Sequence, residues 1–379
     1  MKIAILGLGC VGSGVYEQLQ GRDGLTVARI LHRHPLSGAA EEMRTEDFGE
    51  ILADPEIEAV VEVLGGVEPA RSFVKAALRA GKHVITANKL MLSSDLPGIL
   101  AAAREGSAQL RCSASVGGGI PFLPNLLRAR RADRLIEVGG IVNGTTNLIL
   151  DVMQREGAEF DKVLAQAQRA GFAEADPSAD VDGVDAQCKL SIAASVAFDA
   201  FVAPEAVAVA GIRNIRGADA ANFLRLKRVC RLLTRAVRTE KGVCAYVEPT
   251  LVPESAPEAA VLLNDNRVCL RGERVGAQAF SGQGAGKAPT AYAVVNDLLD
   301  LISGAPAAKY VSTSASLPAD SAAEAHCYYV RTRAPMALPG ERIGEGLYLT
   351  RPVPVSEMHY AMAEAAKADP ETFFAGIRD

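Results

Sequence analysis

The sequence predicts an α/β chain in which a doubly wound parallel sheet is followed by an α+β domain, and three observations carry that expectation. Short β-branched runs alternate with amphipathic stretches from the start of the chain to about residue 127. A glycine-rich turn, Gly7-Leu8-Gly9-Cys10-Val11-Gly12-Ser13-Gly14, leaves the first of these runs. Near residue 129 the regular alternation gives way to one strand followed by several helices. Strand and helix in alternation imply parallel strands joined by helical crossovers, whereas segregated helices and strands imply an α+β arrangement.

In order along the chain, residues 3–6, 26–31, 59–64, 83–86 and 109–112 are strand candidates separated by helical periods. Residues 137–142 read as the first strand of the second domain, with helices over 148–156 and 161–170. An alanine-rich helix is expected over 186–198, then a basic strand-like run over 224–237 and alternating segments to about 280. Gly282-Gln283-Gly284-Ala285-Gly286 precedes a helix over 290–302, whose apolar residues recur at helical spacing; it is expected to return to the first domain. After residue 305 the chain is rich in Ala, Pro and Ser, with strand-like runs at 327–331 and 346–353 and a helix at 357–366. The expected domains are 1–128 completed by 283–304, then 129–282, then a C-terminal region over 305–379.

Composition narrows the function. With 379 residues, 49% hydrophobic and 22% charged, the chain is an ordinary globular one with enough length for two or three cores. A formal net charge of -5 gives no excess of positive charge for phosphate backbones, so nucleic acid is not an expected partner. Met1-Lys2 runs directly into an apolar strand without a secretory h-region, and no apolar stretch reaches bilayer length. The expectation is a cytoplasmic protein without a membrane partner. Seven scattered cysteines form no C-x-x-C pair and five histidines form no H-x-x-x-H pair, which argues against a transition-metal centre.

The glycine turn stands at the exit of a buried strand and the entrance of a helix, where G-x-G-x-x-G signals a Rossmann-type dinucleotide site. Gly7 permits the tight turn, Gly9 admits the pyrophosphate to the backbone, and Gly12 lets helix pack on strand. The amides of Cys10 and Val11 then open the helix toward the phosphates. An NAD site usually carries an acidic residue after the second strand, but here the sequence reads Leu31-His32-Arg33-His34. Arg33 suits a 2′-phosphate, so NADP is expected in preference to NAD; the alternative is a solvated loop cation.

Five segments together with this turn resemble homoserine dehydrogenase. They are Thr86-Ala87-Asn88-Lys89, Ser115-Val116-Gly117-Gly118-Gly119-Ile120-Pro121, Asn143-Gly144-Thr145-Thr146-Asn147, the run from Gly171 and Phe172 through Glu174, Asp176, Asp180, Asp185 and Lys189, and Gly284-Ala285-Gly286 with Pro289-Thr290-Ala291. The resemblance implies reversible NAD(P)-linked interconversion of L-homoserine and L-aspartate 4-semialdehyde, in threonine, methionine and isoleucine biosynthesis. It implies that Glu174 and Asp180 hold the substrate ammonium, that Lys189 and Lys89 line the reacting oxygen, and that Gly284 belongs to the cofactor domain. It also implies a sodium ion on main-chain oxygens of Ser113, Val116, Gly118 and Ile120, and a homodimer formed through the second domain's sheet. Two positions depart from the family pattern: Ser113 replaces a glutamate and Phe172 replaces a tyrosine.

The residues support this chemistry on their own terms. Reducing an aldehyde needs a hydride donor on one face and a proton donor at the oxygen. Asp185 and Lys189, spaced i,i+4, share one helix face and can act as an oriented proton donor; the same spacing equally describes a surface ion pair. Gly144 and Thr145 open a helix and suit a substrate carboxylate, or only a capped turn. Two rival functions remain at this stage. An acyl-transferring semialdehyde dehydrogenase would need a thiolate, for which Cys112 is the candidate, and a non-catalytic NADP-binding regulator would use Asp185 and Lys189 only as an ion pair. For the C-terminal region the resemblance implies an ACT-like module with threonine feedback, and Cys327 to Arg333 looks like its first strand; the alternative is a truncated remnant used for subunit contact.

Overall fold

The computed structural model describes residues 1–312, 315–336 and 338–378. They divide into two units, one of residues 1–132, 195–201 and 283–315, the other of 133–194, 202–282 and 316–379.

The first unit opens with β1 (Lys2–Leu6), α1 (Cys10–Leu19), β2 (Thr26–Leu31), α2 (Ala39–Glu42), β3 (Arg44–Thr45), α3 (Phe48–Ala53) and β4 (Ile57–Glu62). It continues with α4 (Ala70–Arg79), β5 (His83–Thr86), α5 (Lys89–Glu105), β6 (Leu110–Arg111) and α6 (Phe122–Arg130). All six strands are parallel in the order β3-β2-β1-β4-β5-β6, the doubly wound arrangement whose strand order reverses beside β1. β1 and β4 are almost wholly buried, which is why they read as continuous apolar runs rather than alternating ones.

In the second unit follow β7 (Leu135–Ile141), α7 (Gly144–Glu156), α8 (Phe160–Arg169), α9 (Ser178–Val181), α10 (Val184–Phe198), β8 (Val207–Val209), α11 (Gly217–Arg225), β9 (Arg228–Arg238), β10 (Val243–Pro253), β11 (Asp265–Gly272) and β12 (Gly276–Gln283). The last residues of α10 and Gln283 group with the first unit. β7 pairs antiparallel with both β9 and β11, and β9 pairs antiparallel with β10 along eleven residues. The expected basic strand over 224–237 is corrected here: α11 runs to Arg225, and the strand begins only at Arg228. Leu224 and Leu226 lie in and just beyond that helix end and are exposed.

α12 (Lys287–Ile302) belongs to the first unit, where Ala291, Val294, Val295, Leu298 and Leu301 share a core with Ile3, Ile5, Val15 and Leu19. The chain then enters β13 (Ala325–Arg331), β14 (Gly340–Gly344), β15 (Leu347–Thr350), β16 (Val353–Pro354), α13 (Val355–Ala368) and β17 (Phe373–Ile377). β17 runs parallel to β10, with Thr250 opposite Gly376, so these strands continue the second unit's sheet to eleven strands. Leaving out the two-residue β16, the C-terminal strands lie as β17-β13-β15-β14, the fourth, first, third and second in chain order. That is a β-α-β-β-α-β pattern with a loop in place of the first helix among the described residues. The expectation of a single strand-like run after residue 340 is thereby overturned, since β14 and β17 are also present. Among the described residues no helix is long and apolar enough to cross a membrane.

Candidate active site

In the first unit, the glycine turn sits where β1 gives way to α1, at the point of strand reversal. Gly7 has φ +96, and its N–H donates to Leu31 O at 3.0 Å, locking the turn to the end of β2. A Cβ on Gly12 would stand 2.1 Å from Gly7 O, so any side chain there would force helix and strand apart. A Cβ on Gly9, by contrast, would meet nothing within 4 Å, which leaves an open approach to the backbone. Gly9 caps α1 without a side-chain hydrogen bond, so the first amides of the helix, including those of Cys10 and Val11, are not taken by a cap. These features fit a dinucleotide pyrophosphate. Arg33 is exposed beyond β2 and has no partner among the described residues, while His32 Nδ1 lies 2.8 Å from His34 O.

Lys89 is the first residue of α5, half-buried just past the carboxyl end of β5. The turn that presents it is fastened to Glu62, a fully buried carboxylate at the end of β4. Glu62 accepts from Thr86 Oγ1 at 2.6 Å, Asn88 Nδ2 at 3.3 Å and Leu64 N–H at 2.9 Å. Asn88 in turn caps α5 by accepting the Met91 N–H at 3.1 Å. Burial pushes the Glu62 carboxyl above the ordinary range, against the pull of these hydrogen bonds.

Ser113 begins a single 3-10 turn, Ser113–Ser115, and both its N–H (2.9 Å) and its Oγ (2.7 Å) donate to the buried Asp297 of α12. Val116 and Ile120 are buried, and Gly117 and Gly118 take φ +87 and +53 in the turn joining them. Gln283, beside Gly284, accepts from Gly119 N–H at 3.2 Å, so the return segment is seated on this glycine hairpin. Cys112 is buried and its thiol is pushed up to about 12 by burial. Such a group holds almost no thiolate at neutral pH, which removes the basis for the acyl-transfer reading.

The second unit assembles the acidic and basic residues. Lys189 Nζ donates to Asp185 Oδ2 at 2.7 Å and to Val142 O at 2.8 Å. Its side chain and that of Asp185 are only 8% and 7% exposed, so the pair is a buried one and not the surface bridge its spacing also allowed. Asn143 Nδ2 donates to Asp185 Oδ2 at 2.8 Å and to Asp180 Oδ1 at 2.6 Å. Asp180 has its carboxyl pushed above the ordinary range by burial, opposed by the Asn143 hydrogen bond and the Lys189 charge and reinforced by the charge of Asp185.

Asn143 is also the N-cap of α7, accepting the Thr146 N–H at 2.9 Å. The cap takes the third amide of the helix, past those of Gly144 and Thr145. The Thr145 hydroxyl donates to Phe172 O at 2.7 Å, while Phe172 itself is 46% exposed. Glu174 is exposed, and its carboxylate takes no partner among the described residues, so it stands apart from the hydrogen-bonded group.

Comparison with known proteins decides the family. Residues 7–112 match the model of the homoserine dehydrogenase NAD-binding domain, and residues 121–299 match that of homoserine dehydrogenase. A homoserine dehydrogenase of Synechocystis is 42% identical over 317 residues, covering 80% of this chain and 73% of the relative. The chain belongs to the homoserine dehydrogenase family. The homoserine dehydrogenase of Bacillus subtilis is 38% identical, covering 79% of this chain and 72% of its own. The crystal structure of a homoserine dehydrogenase from Thiobacillus denitrificans matches with TM-score 0.87 and 32% identity, covering 100% of this chain and 98% of that one. The likeness to that structure therefore extends over the C-terminal strands, although the match in sequence to the first two relatives covers about four-fifths of the chain.

Sequence reasoning passed over Glu62 and Asn143 as individual site residues. Each had a signal: a carboxylate directly after the apolar run Ala59-Val60-Val61, and an asparagine where a strand meets a helix.

Proposed function

We propose that the chain catalyses the reversible NAD(P)-dependent interconversion of L-homoserine and L-aspartate 4-semialdehyde, within amino-acid biosynthesis in the cytoplasm. The observation that carries this reading is the hydrogen-bonded set of the buried Lys189, Asp185 and Asn143 with the half-buried Asp180. The nicotinamide, when bound, supplies or accepts the hydride at the substrate's terminal carbon.

An ammonium has three hydrogens, and Lys189 spends two of them on Asp185 and Val142. The third is directed to the substrate oxygen, giving its proton to the nascent alkoxide in reduction and recovering it in oxidation. Asp185 fixes the ammonium and offsets its charge. Asp180, with Glu174, takes the substrate ammonium, and the amides of Gly144 and Thr145 take its carboxylate. Lys89, at the start of α5, is the first unit's catalytic candidate. The glycine turn Gly7, Gly9, Cys10, Val11 and Gly12, with Gly284, holds the dinucleotide, and Arg33 favours NADP.

The hard oxygens of the Ser113, Val116, Gly118 and Ile120 carbonyls suit a sodium ion. A rise in melting temperature with sodium that potassium does not reproduce is the outcome expected. A homodimer through the second unit's sheet is supported by an exposed β12 and by a cleft of about 450 Å³ lined by Glu137, Leu233, Arg235, Arg271 and Arg378. Light scattering should give twice the chain mass of 39.8 kDa.

Steady-state assay with L-homoserine and each cofactor tests the function. Homoserine-dependent reduction of NADP with semialdehyde as product is expected. Binding of NADP without turnover would favour the non-catalytic regulator instead.

A further inference from the structure

The amide of Asn143 occupies a position that the reaction scheme leaves without a role. We propose that Asn143 is a positioning residue which ties the substrate-binding carboxylate Asp180 to the lysine-orienting carboxylate Asp185, so that substrate capture and proton transfer share one geometry. The inference rests on the functional reading above and deepens it.

Every hydrogen-bonding capacity of this side chain is used. Its two N–H bonds go to two different carboxylates, Asp180 Oδ1 at 2.6 Å and Asp185 Oδ2 at 2.8 Å. Its Oδ1 accepts from Thr146 N–H at 2.9 Å and Thr146 Oγ1 at 3.0 Å, which fixes the plane of the amide. The preceding residue, Val142, presents its carbonyl to Lys189 Nζ at 2.8 Å. Consecutive residues thus hold the cation by an acceptor and both anions by donors, at the junction of β7 and α7.

The arrangement answers an electrostatic problem. Two carboxylates within the span of one amide nitrogen repel, and their repulsion favours protonation of one of them. A neutral double donor placed at that point stabilises both charges without adding a competing cation, which would displace the substrate ammonium. The same oxygen, Asp185 Oδ2, accepts from both Asn143 and Lys189, so a shift of the amide moves the lysine as well. Loss of Asn143 should therefore disturb KM for homoserine through Asp180 and kcat through Asp185 and Lys189 together.

Asn143→Asp is the informative substitution, because aspartate keeps the acceptor that caps α7 while removing both donors and adding a third carboxylate. The expected result is a fall of about 100-fold in kcat/KM for L-homoserine, shared between kcat and KM. The acidic limb of the kcat/KM profile should move to higher pH by about one unit, since Asp180 loses a donor to its charged form. KM for NADP should stay near that of the parent.

Asn143→Ser, which also keeps a cap, should give the same upward displacement of the limb. A changed melting temperature with the pH profile in place, or failure of both variants to fold, would overturn the inference and make Asn143 a support of the fold and not of the chemistry. If Asp185→Asn loses kcat while both Asn143 variants retain the parent profile, this inference fails and the functional reading stands. If Lys189→Ala keeps full kcat, the reading itself fails.

Discussion

At the residue scale, Arg33 is the proposed determinant of cofactor preference. It lies two residues past β2, exposed and without a partner among the described residues, where NAD-specific folds place a carboxylate. A charge-assisted hydrogen bond to a 2′-phosphate contributes about 1.5–3 kcal/mol. Arg33→Ala should accordingly raise KM for NADP roughly 10- to 100-fold while leaving KM for NAD nearly unchanged. Equal effects on both cofactors would remove the 2′-phosphate assignment. Single residues were legible where chemistry and spacing coincide, as for Asp185 and Lys189. Their spacing did not reveal that both are buried, because they meet Val142 and Asn143 at the junction of β7 and α7, and pairings distant in sequence leave no periodic trace. Asn143 and Glu62 were harder still, since a lone polar residue at a strand end has the same pattern whether it faces water or a buried network.

At the scale of elements, the first unit was readable because its central strands β1 and β4 are almost wholly buried and short apolar runs alternate with helical periods. β3, two residues long, offered too little sequence to notice. β14 and β17 were hidden for a different reason. β17 is held by β10, far away in the chain, and β14 is exposed along its length, so neither shows a strong local pattern. α12 was recognised by its helical period, but not the carboxylate it buries.

Asp297 is 4% exposed, and its carboxyl is pushed up to about 6 by burial against the two hydrogen bonds from Ser113. The unfolded chain releases this proton near pH 4, while the folded chain keeps it until about 6. Stability must therefore fall as pH rises through that window, by roughly 3 kcal/mol in all. Urea unfolding at pH 4.5 and pH 7 should show this loss in the parent. Asp297→Asn should lack it, and an identical pH dependence in the two proteins would refute the assignment.

For the whole molecule, one buried carboxylate fastens the C-terminal strands to the second unit's sheet. Glu248 of β10 is fully buried and accepts from His326 Nε2 at 2.7 Å and His359 Nε2 at 3.0 Å, on β13 and α13. Burial pushes its carboxyl up, but the two histidine hydrogen bonds outweigh burial and hold it below the ordinary range. A depressed carboxylate contributes stability that is fully present above its unfolded value near pH 4.3 and is lost as pH falls through the folded value. Glu248→Gln should unfold earlier at neutral pH by about 2–4 kcal/mol and show a flatter decline in acid. An unchanged melting curve would mean that the strands are held by pairing and packing alone.

The central claim, that this family member moves a proton through Lys189 while hydride passes to or from the nicotinamide, is tested most directly by the kcat of Lys189→Ala with L-homoserine and NADP. The account predicts a fall of about 10²- to 10⁴-fold with KM for NADP little changed. Full kcat in that variant would contradict it.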